Sequence, residues 1–216
     1  MTVFKQNLTS KMLVSTILND RGLINGDHVL DFGCGDGNII RNLFYANPDI
    51  EISGLGIDIC ADAIDAASHI TVDDRIKFKV GDRIPPTGSF SLVISDVAGI
   101  ASDIAEISGW YDGVSCETGW SGLDLVEQVL SNCSSIIEEG GVLYMPIISL
   151  SDTKRHEEML STLGDSVRFF QTTYWPLPES LQNLAREKYF RDRFDIIEKF
   201  GVFLAWTKIA KVGFGG

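Results

Sequence analysis

The chain has 216 residues, of which 44% are hydrophobic, and its formal net charge at pH 7 is −12. This length and composition are typical of one globular domain with a substantial core, and no apolar run approaches the roughly 20 residues that a membrane-spanning helix needs. The acidic charge argues against nucleic acid as a partner, because it repels phosphate backbones where no basic patch is concentrated. No secretory signal is visible, so a cytoplasmic protein with free cysteines and no membrane partner is expected.

Strands and helices are expected to alternate through the first hundred residues, because short apolar runs are followed by helical spacings of apolar residues. In chain order the expected elements are a helix at 9–20, a strand at 27–32, a helix at 37–46, a strand at 51–57, a helix at 61–68, and strands at 76–80 and 90–95. This order predicts a parallel sheet covered by helices on both faces.

The second half of the chain continues this pattern and then departs from alternation. The expected elements are a loop at 97–120, a helix from Ser121 that closes at Gly140-Gly141, a strand at 142–148, a helix at 152–163, a strand at 167–174, a helix at 179–189, and strands at 194–200 and 202–210. The last two strands lack an intervening helix, so they predict antiparallel pairing at one edge. The fold class is therefore α/β, with a mostly parallel sheet and an antiparallel C-terminal hairpin.

The strongest functional signal lies in residues 29–37, which read Val-Leu-Asp-Phe-Gly-Cys-Gly-Asp-Gly. Gly33, Gly35 and Gly37 allow the backbone to turn tightly and approach a ligand, because glycine reaches positive φ without steric cost. A strand, a glycine turn and a helix N-terminus form a nucleotide-binding corner. The spacing is not the G-x-G-x-x-G of dinucleotide folds, and Asp31 would repel a pyrophosphate. A ligand with an ammonium group and no phosphate is therefore expected.

In this glycine spacing and in Asp31, the segment resembles the first motif of the class I S-adenosylmethionine-dependent methyltransferases. The resemblance implies S-adenosyl-L-methionine as the cofactor and a Rossmann-like, seven-stranded sheet with an antiparallel C-terminal hairpin. One methyltransferase domain over 1–216 is therefore expected, with an N-terminal helical segment at 1–26, and a helical insertion at 176–192 would be an addition of this protein.

The resemblance implies that Asp31 accepts hydrogen bonds from the methionine ammonium of the cofactor. Gly33, Gly35 and Gly37 would bring the backbone close to its amino-acid and ribose parts. Asp58 follows the second strand in Gly-Ile-Asp-Ile, where a carboxylate can accept from both ribose hydroxyls. Capping of the next helix is the alternative role for Asp58, and both roles can hold together.

The resemblance implies that the next two candidates contact the adenine ring. Ile59 would pack on its face, and Asp82 in Val-Gly-Asp-Arg would accept from its amino group, with an ordinary surface turn as the alternative for Asp82. Asp31, Asp58, Asp82 and Asp96 all fall at the carboxyl ends of successive predicted strands. That edge is where open α/β sheets bind their ligands.

The acceptor site is expected after the fourth strand, which ends in Ser-Asp-Val-Ala-Gly at 95–99. Many amino-group methyltransferases carry Asn/Asp-Pro-Pro-aromatic here, and the region from Gly122 onward resembles the small-domain and release-factor glutamine methyltransferase group. Val97-Ala98-Gly99 replaces the proline-aromatic clamp, which argues against glutamine or nucleobase methylation. Asp96 remains as the candidate catalytic residue that draws a proton from an amine or hydroxyl. Capping of the following loop is its alternative role.

Three aromatic residues on the glycine-punctuated loop, Trp110, Tyr111 and Trp120, are the candidate substrate-binding residues, with packing over the core as the alternative. By analogy with the fold, Ser10 and Phe4 in the opening segment are expected to close over the cofactor. The three histidines show no metal-ligand spacing and are expected at the surface or in turns, so no metal is predicted.

The leading hypothesis is a methyltransferase that moves a methyl group from S-adenosyl-L-methionine to an oxygen or nitrogen atom of a small molecule. A protein side chain is the alternative acceptor. A non-catalytic module that binds the cofactor is the alternative from another class, and a nicotinamide oxidoreductase is disfavoured by the glycine spacing and Asp31. The oligomeric state is left open.

Overall fold

The computed structural model of the chain describes residues 8–85, 88–111 and 117–215. Over these residues there are nine strands: β1 (His28–Phe32), β2 (Ser53–Asp58), β3 (Ile76–Val80), β4 (Phe90–Ser95), β5 (Ile137–Ile148), β6 (Ser166–Phe169), β7 (Thr173–Pro176), β8 (Ile197–Lys199) and β9 (Val202–Gly213). They form one sheet in the order β3-β2-β1-β4-β5-β9-β6, and β7 and β8 also pair with β9.

The helices of the described ranges are α1 (Leu8–Asp20), α2 (Asn38–Tyr45), α3 (Ala61–Ile70), α4 (Ser102–Ser108), α5 (Asp124–Cys133), α6 (Thr153–Leu163), α7 (Glu179–Gln182) and α8 (Lys188–Arg193), with a 3₁₀ turn at Leu184–Arg186. None of these helices is long and apolar enough to cross a membrane.

The central strands bury both of their faces, because successive side chains of a strand point to opposite sides of a sheet. Val29 and Leu92 belong to a hydrophobic cluster that contains residues of α1 and α2. Leu30 and Val93 belong to a second cluster, which contains residues of α5 and α6. The predicted α/β fold with helices on both faces is confirmed.

The strand directions gather several carboxyl ends at one edge of the sheet. Neighbouring strands from β3 through β2, β1 and β4 to β5 all pair in parallel. β9 runs antiparallel to β5 with Thr207 opposite Ile148, so the first residues of β9 extend beyond that edge and pair there with β8. The predicted antiparallel C-terminal strands are present.

The start of the helix predicted from Ser121 is wrong by a few residues. α5 begins at Asp124, and the N-cap position, Leu123, provides no side-chain cap. The Ser121 hydroxyl instead accepts a hydrogen bond from the Leu123 backbone N–H at 3.3 Å, before the first helical residue. A local turn therefore takes the oxygen that the sequence pattern assigned to a helix cap.

The predicted end of the same helix is also wrong, because α5 stops at Cys133 and Gly140-Gly141 lie inside β5. Phe90 of β4 pairs with Ile137 of β5, and the next pair is Leu92 with Val142. Two residue steps along β4 therefore correspond to five along β5. Such an excess is a bulge, and Gly140 supports it with a φ of 80°. Pairing with β4 decides the conformation here, not the helical spacing of apolar residues.

Three other segments differ from the expectation. α4 lies within the predicted loop 97–120, and the predicted strand 167–174 is divided into β6 and β7, which pair with different parts of β9. The predicted helix 179–189 is broken into α7, the 3₁₀ turn and α8, because Glu187 is extended at φ −72° and ψ 139°. The strand predicted at 194–200 is reduced to β8.

A third hydrophobic cluster joins these C-terminal elements to the loop that follows β4. Its buried members are Ile100, Ala101, Ile104, Ala105, Leu150, Leu177, Leu181, Ala185, Phe190, Phe194, Phe203 and Ala205. The segment 176–192 therefore packs beside the carboxyl end of β4, and the third cluster covers that end of the sheet.

Candidate functional site

The glycine turn after β1 has the backbone conformation that its sequence predicts. Gly33, Gly35 and Gly37 have φ values of 76°, 53° and 74°, a region that residues with a side chain rarely adopt. A Cβ atom on Gly37 would lie 2.6 Å from the Phe78 ring, whereas one on Gly35 would meet nothing within 4 Å. Gly37 therefore serves close packing, and Gly35 faces open space that a ligand can enter.

Asp58 is fixed by the turn that it faces. Its two carboxylate oxygens accept hydrogen bonds from the backbone N–H groups of Gly35 and Cys60, each at 2.8 Å. The N-cap position of α3 is Cys60, so Asp58 supports the entry to that helix by holding the cap residue. Each carboxylate oxygen keeps acceptor capacity, because it can accept more than one hydrogen bond.

Ile59 and Asp82 lie at the open rim of this edge. Ile59 is 64% exposed, and the Asp82 side chain is 65% exposed with Oδ2 at 4.0 Å from the Arg83 guanidinium. Neither side chain is committed to the core, so both are accessible to a bound molecule.

Asp31 is a carboxyl group without solvent contact. It is 0% exposed, Oδ2 accepts a hydrogen bond from the Ile40 backbone N–H at 3.3 Å, and Oδ1 is buried with no partner in the described structure. Burial, followed by repulsion from Asp96 and more weakly from Asp58 and Asp36, raises the pKa of Asp31 to about 8. A buried oxygen without a partner is costly to the fold and is a common feature of binding sites.

Asp96 lies just beyond β4, on the same side of the sheet as Asp31. Ser10 of α1 donates a hydrogen bond from its hydroxyl to Asp96 Oδ2 at 2.7 Å. Burial raises the pKa of Asp96 to about 7, although the hydrogen bond from Ser10 acts in the opposite direction. A carboxyl group with a pKa near neutral pH is suited to accept and release a proton.

The opening segment therefore reaches the site, although the sequence suggested Ser10 by analogy alone. Ser10 and Asp96 are 86 positions apart, so no local pattern could have paired them. Phe4, suggested together with Ser10, lies outside the described residues.

The predicted aromatic residues lie on the side of the site that the third cluster covers. Trp110 and Tyr111 pack against the third cluster, and the Trp110 ring meets Trp175 edge-on with 5.6 Å between centroids. Trp120 is 69% exposed. The structure thus brings Trp110 and Tyr111 to one cluster and leaves Trp120 at the surface beside it.

Arg193 holds Trp120, a contact that the sequence did not predict. The Arg193 guanidinium donates two hydrogen bonds to the Asp103 carboxylate at 2.7 and 2.9 Å and a third to the Trp120 carbonyl at 2.6 Å. It also lies 3.4 Å from the centroid of the Trp120 ring, a cation–π contact. Arg193 therefore ties α8 to α4 and to the end of the loop that follows α4.

The expectation that all three histidines lie at the surface or in turns is wrong for His156. His156 is 1% exposed, and neither ring nitrogen has a hydrogen-bond partner in the described structure. Burial, with a smaller effect from Lys208, lowers the pKa of His156 to about 4, so the ring is neutral at pH 7. In the described ranges no group of three or more histidine, cysteine or acidic side chains is arranged to hold a metal ion.

The chain matches a protein family described as methyltransferase domain over residues 23–163, which is more than half of its length. No curated protein sequence matches it significantly.

Solved structures with the same fold are distant in sequence. The YcgJ protein of Bacillus subtilis is 12% identical with a TM-score of 0.62, over 94% of this chain and 98% of its own. A candidate methyltransferase of Bacillus halodurans is 13% identical with a TM-score of 0.61, over 94% and 99% of the two chains. A phosphoethanolamine N-methyltransferase of Haemonchus contortus, solved with S-adenosylhomocysteine, is 13% identical with a TM-score of 0.57, over 95% of this chain and 53% of its own.

Proposed function

The chain belongs to the methyltransferase domain family, and from this premise we propose that it methylates an oxygen or nitrogen atom of a small molecule. The enzyme depends on S-adenosylmethionine. The observation that carries the proposal is the pair of carboxyl groups at adjacent strand ends, Asp31 buried with an unpartnered oxygen and Asp96 held by Ser10.

The residues at this edge fit the cofactor. Asp31 would hold its ammonium group, because Oδ1 is buried and lacks a partner. Gly35 leaves open space beside the turn, and Asp58 is oriented by two backbone N–H groups so that its remaining lone pairs are available to the ribose hydroxyls. The exposed Ile59 and Asp82 would contact the adenine ring.

The proposed chemistry needs one proton acceptor and an ordered acceptor molecule. Bound S-adenosylmethionine supplies a methyl group on a sulfonium, whose departure needs no acid. Asp96 would accept the proton from the hydroxyl or amine of the acceptor, and Ser10 would hold the Asp96 carboxylate in place. The third cluster would exclude water and align the acceptor on this side.

Two features favour a small molecule over a nucleic acid or a glutamine side chain. The net charge of −12 repels phosphate backbones. Val97 also stands where the release-factor glutamine methyltransferase group carries proline, and it packs against the glycine turn, since a Cβ on Gly33 would lie 2.9 Å from Val97 Cγ1. We also propose that the chain is related to that group, because the motifs after Asp96 follow the same order, and that it methylates a different acceptor.

Calorimetry with S-adenosylhomocysteine tests the cofactor site. Asp58→Ala should weaken binding by at least about tenfold, because it removes the ribose acceptor and frees the Gly35 N–H. Asp65→Ala is the matched control, since Asp65 is a 76% exposed carboxylate on α3, and it should bind like the wild type. Equal affinity in all three proteins would reject the role of Asp58, and no binding to the wild type would reject the proposed function.

A labelled-methyl assay on cell extract, separated by molecular size, tests the acceptor. Label in the small-molecule fraction is the expected result. Label in a protein band would instead support a side-chain acceptor. An enzyme that binds S-adenosylhomocysteine but labels nothing would support a non-catalytic binding module.

A further inference from the structure

Asp31 on β1 and Asp96 just after β4 lie at the ends of adjacent strands. In the pairing of β1 with β4, Asp31 lies opposite Ile94, and Asp96 follows two residues later on the same side of the sheet. Their side chains therefore point into the same space under α1 and α2, from which Ser10 and the Ile40 backbone N–H also reach them. The repulsion of Asp31 by Asp96 is the second cause, after burial, of the raised pKa of Asp31.

Among the residues that the structure describes, the charged groups that act on this pair are acidic. Asp58 from β2 and Asp36 from the glycine turn add to the repulsion of Asp31, and neither Asp31 nor Asp96 makes an ion pair within the described residues. The Cys34 thiol lies near Asp31 as well, and burial together with the charge of Asp31 raises its pKa, so it stays protonated. The two neutral donors are the Ser10 hydroxyl of α1 and the Ile40 N–H of α2.

We propose that Asp31 and Asp96 together retain a proton while the cofactor site is empty, and that the ammonium group of the incoming cofactor displaces it. This rests on the proposed role of Asp31 in holding that ammonium. On binding, the carboxylic O–H bond breaks, its proton passes to solvent buffer, and the ammonium stays protonated against the carboxylate. The unpartnered, fully buried Oδ1 of Asp31 marks where the displacement takes place.

Electrostatics explains why the exchange occurs. Two carboxylates in a poorly solvated space do not both ionise readily without a counter-charge, and a bound cation removes that obstacle. Ser10 donates to Asp96, which favours its ionised form, so the retained proton resides mainly on Asp31. Once the ammonium is bound, Asp96 also ionises more readily. Cofactor binding thereby prepares Asp96 to accept the proton of the acceptor, and the cofactor should bind first.

Calorimetry with S-adenosylhomocysteine tests this without any acceptor. At pH 7 the observed enthalpy should differ between phosphate and Tris buffers by the amount expected for release of about half to one proton. As pH rises from about 6 to about 8, the dissociation constant should fall by up to about tenfold per pH unit, because the bound protein carries fewer protons than the free protein. 5′-Methylthioadenosine, which lacks the ammonium, should bind with no proton release.

Three variants separate the pair from its surroundings. Asp96→Asn should still bind S-adenosylhomocysteine but release measurably fewer protons than the wild type, because Asp31 loses the repulsion from Asp96 while its burial remains. Ser10→Ala should move the pH dependence of binding to higher pH, because Asp96 loses the donor that favours its ionised form. Asp65→Asn, an exposed control, should match the wild type.

The failure of this inference can be told apart from the failure of the proposed function. Tight binding of S-adenosylhomocysteine with equal enthalpy in both buffers and a flat pH profile would overturn the displacement and leave the proposed function standing. Absence of binding would overturn both. If Asp96→Asn released as many protons as the wild type, the coupling of the two carboxyl groups would be wrong.

Discussion

The burial of the Asp31 carboxyl group has opposite effects on stability and on ligand binding. Its burial and its unpartnered oxygen make a costly element of the empty fold, and the same features make a pocket for a cation. Proteins commonly accept such a loss of stability at a functional site. The cost should therefore be measurable in the protein without ligand.

The first prediction follows from the raised pKa values of Asp31, about 8, and Asp96, about 7, against an ordinary value of 3.8. Above about pH 4 the unfolded chain loses protons that the folded chain keeps, so the free energy of unfolding should fall as pH rises toward 8. The slope is at most about 1.4 kcal/mol per pH unit for each group. Chemical denaturation between pH 5 and pH 8 should show this fall, and Asp31→Asn should reduce it and be more stable than the wild type at pH 8. An unchanged slope in Asp31→Asn would contradict the prediction.

The stability of the protein in acid has a cause separate from the effect expected between pH 5 and pH 8. Asp27 accepts hydrogen bonds from Arg21, Ser91 and the Ile24 N–H, and these lower its pKa despite its burial. A carboxylate with a lowered pKa stabilises the fold above its unfolded pKa and loses that contribution as pH falls. The effect of Asp27 is thus confined to acid, below the window in which Asp31 acts.

At the scale of single elements, α1 is held over the site by its far end. Asp20, its last residue, accepts hydrogen bonds from Tyr144 of β5 at 2.6 Å, Lys211 of β9 at 2.7 Å and Arg168 of β6 at 2.8 Å. These contacts connect the helix to three strands of the sheet. They fix the direction of α1 and so place Ser10 against Asp96 near its other end.

The turn between β8 and β9 has an unusual residue for its geometry. Phe200 has a φ of 53° and is 96% exposed, and Gly201 follows with a φ of 78°. Positive φ at both positions of a two-residue hairpin loop favours Asn-Gly, because asparagine tolerates this conformation and a bulky residue does not.

The second prediction is that Phe200→Asn stabilises the protein by about 1 kcal/mol, since it relieves the backbone strain and removes only a distant, exposed contact of the ring with Lys199 Nζ at 5.8 Å. Phe200→Ala is the control, because it removes the ring but keeps a residue that is strained at positive φ, and it should gain much less. Urea denaturation at pH 7 measures both. A loss of stability in Phe200→Asn would mean that the contact of the ring with Lys199 outweighs the backbone strain.

For the whole molecule, the dominant electrostatic fact is an excess of acid. The chain has 30 Asp and Glu against 18 Lys and Arg, so twelve negative charges have no opposite charge to pair with. Most ion pairs of the described structure have at least one partly exposed partner, and such pairs contribute little to stability. Self-repulsion should therefore outweigh the pairs.

The third prediction is that salt stabilises this protein. Raising sodium chloride from about 10 mM to about 150 mM shortens the Debye length from about 30 Å to about 8 Å, which screens repulsion between distant charges more than contact pairs. The thermal unfolding midpoint at pH 7 should rise. Sodium sulfate at equal ionic strength gives a check, because a gain seen only with sulfate would indicate solvent exclusion by that ion and not screening. A midpoint that falls with sodium chloride would show that the ion pairs dominate.

The sequence by itself determined the parts of the fold and site that depend on local chemistry. The glycine turn requires positive φ, and the aspartates at the ends of the predicted parallel strands necessarily reach one edge. The alternation of apolar runs gave the sheet with helices on both faces. These features are readable because each depends on residues close in the chain.

Only the tertiary structure decided which distant groups meet. The 86 positions between Ser10 and Asp96, and the 90 between Asp103 and Arg193, hold no signal that pairs them. Likewise, residues 137–141 followed a helical spacing, but pairing with β4 drew them into β5. The physical reason is that hydrogen-bond pairing and burial between remote segments outweigh weak local preferences, and their partners are fixed only when the whole chain packs.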